Sequence, residues 1–162
     1  MKYIATIIFT MFLFFAQAQK NTLTDKKWKL VSMEMDGIVK ADAKKDKLEY
    51  QIDLDSLVKN DKDPETSKSL LVYFFEGLLE KMKRVEFEFR PAGVYVEINN
   101  ISKREKKGTY TIQNNTISIM APGEEEAQMY TYTVTTTGLT LTGFMERAKG
   151  KKCKTTMVYE AL

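Results

Sequence analysis

The chain has 162 residues, 25 Lys and Arg against 22 Asp and Glu, a formal net charge of +3, one Cys and no His. A single cysteine excludes an internal disulfide. The lack of imidazole excludes Ser-His-Asp and Cys-His catalysis in their usual forms, and any His-ligated zinc or copper site.

The first segment reads as an export signal. Lys2 supplies a positive start, Ile4 to Ala16 is an uncharged apolar run, and Ala16-Gln17-Ala18 places small residues where a signal peptidase reads. The run of roughly 13 residues falls short of the ~20 that a membrane-spanning helix needs. Cleavage near Ala18 is expected, with a periplasmic or extracellular destination. Gln19 rather than Cys follows the cut, so no lipid anchor is expected there. The mature chain would carry a formal charge of about +2, too little to point to nucleic acid. No later segment is apolar enough to span a membrane as a helix.

Residues 19–25 read as a short polar lead-in to one domain over 26–162. Trp28-Lys29-Leu30 belongs to a first strand, and Asp36-Gly37 signals a turn. Residues 41–47 read as a charged loop and Leu48 to Leu54 as a short strand. Asp63-Pro64-Glu65 is a helix start, with a capping Asp, a Pro at the first position and a Glu against the positive end of the dipole. Leu70, Leu71, Phe74, Phe75, Leu78, Leu79 and Met82 then recur at spacings of three and four, which predicts an amphipathic helix over about 64–83.

From residue 84 the period switches to two. Phe87 and Phe89 alternate with charges before the Pro91-Ala92-Gly93 turn. Short alternating runs follow around Val96, Tyr110, Ile117, Tyr132 and Leu141, with Asn114-Asn115, Pro122-Gly123 and Thr137-Gly138 as turn signals between them. A further turn is expected at 146–150, and Thr155 to Leu162 closes the chain. Turn signals every 8–12 residues or so argue for an antiparallel meander with one buried face. Such a meander loses its edges by curling into a barrel. The expected fold is mainly β, a closed or nearly closed barrel with the helix packed on it or capping one end.

The run Trp28-Lys29-Leu30, then Phe87, Phe89 and Gly93-Val94-Tyr95, then Gly108-Thr109-Tyr110-Thr111-Ile112, Ile117, Ile119, Tyr130 and Leu139-Thr140-Leu141 resembles the lipocalin-like domain family of small secreted bacterial proteins. The resemblance covers roughly 26–160 and implies a calycin-like barrel. Lys26 stands where classical lipocalins carry a Gly two residues before the Trp.

Six aromatics fall on faces that should point inward: Phe87, Phe89, Tyr110, Tyr130, Tyr132 and Tyr159. A barrel of about eight strands is either filled by its side chains or holds one small ligand, and tyrosine offers a hydrogen-bonding tip on an apolar wall. The expected role is therefore binding of a small hydrophobic or amphipathic ligand by these six residues, without catalysis. The alternative is a structural or protein-binding envelope accessory with a filled core.

Other motifs carry less. Glu86 and Glu88 share a strand face with Arg84 and Arg90 and read as an ion-pairing row rather than a glycosidase pair. Asp53, Asp55, Asp61, Asp63 and Glu65 lack EF-hand spacing and are interrupted by Lys59 and Lys62. Cys153 reads as a small, partly buried side chain. No catalytic residue, metal site or cofactor is assigned.

Overall fold

The structure is a computed structural model that describes residues 23–24, 26–146 and 152–162. The expected signal peptide and most of the lead-in lie outside these residues, as does most of the turn expected at 146–150.

Ten strands form one sheet: β1 (Lys27–Met35), β2 (Val39–Asp42), β3 (Lys47–Tyr50), β4 (Val85–Arg90), β5 (Val94–Asn99), β6 (Glu105–Gln113), β7 (Thr116–Met120), β8 (Gln128–Val134), β9 (Gly138–Glu146) and β10 (Lys152–Ala161). Every pairing is antiparallel, and β4 to β10 run as a meander. The last strand returns to the first, with Trp28 opposite Ala161 and Met35 opposite Thr155. Eight strands, β1 and β4 to β10, therefore close into a barrel with no free edge between them.

β1 shares its second edge between two partners. Lys27 to Lys29 pair with β4, and Ser32 to Met35 pair with β2. A register shift between Leu30 and Ser32 lets Trp28 and Leu30, then Met33 and Met35, all be buried. The β2–β3 hairpin splays from the barrel here, and α2 (Pro64–Arg84) packs against β1 and β3.

Local chemistry sets the helix. Asp63 accepts from the Thr66 amide at 3.1 Å, Pro64 occupies the first turn, and Lys81, Lys83 and Arg84 complement the negative end of the dipole. At its C-terminus, the Asn100 side-chain amide donates to the Lys83 carbonyl and the Asn100 backbone N–H to the Arg84 carbonyl. Two carbonyls that a helix end would leave unpaired are thus satisfied by the β5–β6 turn. The helix runs directly into β4 at that rim.

Two expectations need correction. The segment read as a loop over 41–47 and a strand over Leu48 to Leu54 is a tight hairpin, β2 to β3, whose second strand stops at Tyr50. A short helix α1 (Leu54–Val58), capped by the Asp53 carboxylate, follows. The hairpin bend holds Asp46 at a φ of 53°, and charge density there masks strands whose inner face is only Val39, Ala41 and partly Leu48. The helix stripe is also only partly buried. Phe75, Leu79 and Met82 enter the core, while Leu70 and Phe74 stay exposed beside Tyr73.

The end of the barrel away from α2 is filled. Trp28 is fully buried and its indole N–H donates to the Leu23 carbonyl at 3.0 Å. Lys26 holds its ammonium 5.9 Å from the Trp28 ring centroid. The C-terminus is fastened alongside, the Leu162 amide donating to the Lys27 carbonyl.

Candidate binding site in the barrel interior

All six aromatics expected to point inward do so. Phe87, Phe89, Tyr110, Tyr132 and Tyr159 are buried, and Tyr130 is partly buried against the same cluster. The rings form a connected set. Phe87 meets Tyr159 edge-on at 5.5 Å, and Phe89 meets Tyr110 edge-on at 5.2 Å. Tyr95 joins them, stacked on Phe87 at 6.0 Å and tilted against Phe89 at 5.4 Å.

Tyr95 reveals the orientation of β5. Because Tyr95 opposes Phe89 and Glu97 opposes Phe87, those two face the interior. The apolar alternates, Val96 and Ile98, face out, yet both are buried. Val96 lies between Glu88 and Lys107 across the ladder, beneath an ion-pair net. Arg90 is bonded to Glu88 at 2.5 Å and to both Glu105 oxygens at 3.0 and 2.6 Å, and Lys27 approaches Glu88 at 3.6 Å. The charged row expected around Glu86 and Glu88 is thus a roof over an outer apolar strip.

Glu97 was not singled out from the sequence. Its carboxylate sits within the barrel mouth with 14 % of its side chain exposed, and its partner is the Lys81 ammonium on α2 at 3.2 Å. The only signal was Glu97 lying two residues after Tyr95, on the same strand face.

The wall is apolar, but its polar tips are unevenly satisfied. Tyr110 donates to the Arg90 carbonyl at 3.1 Å, and Tyr159 reaches only the Met157 sulfur at 3.6 Å. The Thr155 hydroxyl is buried with no partner among the described residues. The Tyr130 ring lies across Gly143, where an added Cβ would come within 2.6 Å of it. Burial pushes the Tyr159 and Tyr95 phenols well above their ordinary range, and the nearby Tyr130 and Glu97 push them further. An anion is thus disfavoured in this region, while hydrogen-bond acceptance and donation are available.

Elsewhere the chemistry is thin. A groove of about 220 Å³ between β1 and β10 is lined by Glu34, Asp36, Lys154 and Thr156. The acidic cluster before α2 is consumed locally, Asp53 and Asp63 as helix caps and Asp55 in an ion pair with Lys68. Among the described residues no group of three or more His, Cys, Asp or Glu could hold a metal ion. Cys153 is buried, its thiol 3.5 Å from the Asp36 carbonyl.

Comparison with known proteins adds little. No family model matches the chain, and no curated protein matches. A solved structure of a DUF4847 family protein from Bacteroides vulgatus is similar at 16 % identity, covering 85 % of this chain and 93 % of that one, with a TM-score of 0.42. A likeness so distant carries no argument about this chain. What stands is a β-barrel with a buried aromatic cluster.

Proposed function

We propose that this chain is an exported, lipocalin-like barrel that binds a small amphipathic molecule in its interior without transforming it. One observation carries the reading: six aromatics from different strands converge on the barrel interior, and the Thr155 hydroxyl on the same inner face is buried with no partner among the described residues. A buried unpaired hydroxyl costs about 1–3 kcal/mol. A wall of aromatics with a few convergent polar tips is the usual make-up of a small-molecule pocket. Export is supported by the Lys2 to Ala18 segment.

The test is native mass spectrometry of the secreted, processed protein. The expected result is a chain beginning at Gln19 that retains, or takes up from a decyl-chain series, one small amphiphile per barrel. A chain that keeps residues 1–18, or a barrel that takes up none of the series, would refute the corresponding half of the proposal.

A second reading, a protein-binding accessory, is favoured by the exposed Leu70, Tyr73 and Phe74 on α2. It requires a co-purifying protein that Phe74→Glu releases, with no small molecule retained.

A further inference from the structure

We propose that the barrel selects amphiphiles with a cationic head group, which docks on Glu97 in the place now held by the Lys81 ammonium. This deepens, and rests on, the interior-binding reading.

A carboxylate drawn out of water requires a positive partner. Glu97 projects from β5 into the mouth of the barrel, directly across the ladder from Phe87 and on the same face as Tyr95. Phe87 stacks on Tyr95 and meets Tyr159 edge-on, so the carboxylate stands beside a wall of electron-rich rings. Carboxylate and aromatic faces together are the chemistry that holds an ammonium.

The chain satisfies this chemistry from within, but loosely. Lys81 reaches Glu97 at 3.2 Å from a side chain that is 51 % exposed on the last turns of α2. A flexible, half-hydrated ammonium gains little from one such contact. It is a weak competitor for a ligand ammonium whose alkyl tail is buried at the same time. The inner face beyond Glu97 is apolar, with Ile117, Leu139 and Leu141 buried in the core and Met157 packed against them.

The same arrangement rejects anions. A fatty-acid carboxylate that displaced Lys81 would face Glu97, with Lys106, opposite Glu97 on β6, as the cation left on that face.

The experiment compares four probes sharing one tail, all below their micellar concentrations: decyltrimethylammonium, protonated decylamine, decanoate and decanol. Binding to the mature protein is followed by tyrosine fluorescence and thermal shift. The expected result is that both cations bind at least tenfold tighter than decanoate. Glu97→Gln removes that preference, and Lys81→Met raises cation affinity several-fold. Melting temperatures and far-ultraviolet circular dichroism establish that each variant is folded; if Glu97→Gln does not fold, Lys81→Met decides alone. Decanoate binding as tightly as the cations overturns the inference, as does a preference that survives Glu97→Gln, or a Lys81→Met variant without gain. Decanol binding with no cation preference sinks the inference alone. Failure of all four probes removes the interior-binding reading with it.

Discussion

Thr155 offers the sharpest test of how the interior is built. It sits on β10 between Met35 of β1 and Gly143 of β9, 1 % exposed, with a hydroxyl that has no partner among the described residues. Thr155→Val replaces that hydroxyl with a methyl of nearly the same shape on a side chain equally suited to a strand. Removing an unsatisfied buried hydroxyl recovers part of a desolvation penalty of about 1–3 kcal/mol. With about half of it recovered, the gain is about 0.5–1.5 kcal/mol. For a domain of this size that corresponds to a rise in Tm of about 2–6 °C. Thr155→Ser is the control, because it keeps the unpaired oxygen and deletes a methyl, and its Tm should fall. Urea melts with an unchanged slope would show that only the folded state was altered. A Thr155→Val protein that melts lower than the parent would refute the reasoning, since it would mean the hydroxyl is well bonded in solution.

Three other outcomes are expected. Gly143→Ala puts a Cβ 2.6 Å from the Tyr130 ring and 2.8 Å from the Met129 carbonyl; denaturant melts should show a loss of about 1–3 kcal/mol through overpacking, and an unchanged midpoint would contradict the geometry. Phe75→Ala should cost about 3–5 kcal/mol by opening the core, whereas Phe74→Ala, one position away but 54 % exposed, should cost well under half of that; equal losses would mean α2 is rotated from the orientation described. The tyrosines set an alkaline limit. Tyr159 and Tyr95 ionise well above the ordinary tyrosine value of 10.0 because burial disfavours the phenolate. Since the folded-state values are raised, their contribution is complete below that pH and is lost as pH climbs past it. Stability should therefore decline above pH 10.0, with the phenolate absorbance of these two appearing only as the chain unfolds; early titration of all tyrosines in the folded protein would argue against the buried cluster.

Much of the fold was legible because its pattern is binary. The strands from Val85 onward alternate with period two and are separated by turn residues, and α2 announces itself with Asp63-Pro64 and a periodic stripe. What escaped detection has physical reasons. The β2–β3 hairpin is short and flanked by lysines, so its inner residues do not outweigh the surrounding charge. On β5, the sequence offers Val94, Val96 and Ile98 as the apolar face, but pairing with Phe87 and Phe89 turns Tyr95 and Glu97 inward instead. That choice becomes tolerable only because Arg90, Glu88, Glu105 and Lys27 cover the outer strip and Lys81 meets Glu97. Both compensations come from elements distant in sequence, which is why Glu97 could not be recognised from its own neighbours.

The pairing of the first strand with the last has a consequence for how the chain is made. Trp28 and Ala161 are about 130 positions apart, and the seam between β1 and β10 carries seven partnered residues. Long-range pairing of this kind slows folding, because the intervening chain must be ordered before its ends reward one another. Until β10 is in place, β9 and the β10-facing edge of β1 are both open, able to recruit another chain. The folding chain is thus most vulnerable to aggregation just before β10 closes the seam. A truncation at residue 151 should yield insoluble or associating protein, although every turn of α2 and every hairpin of the meander before β10 would still be encoded.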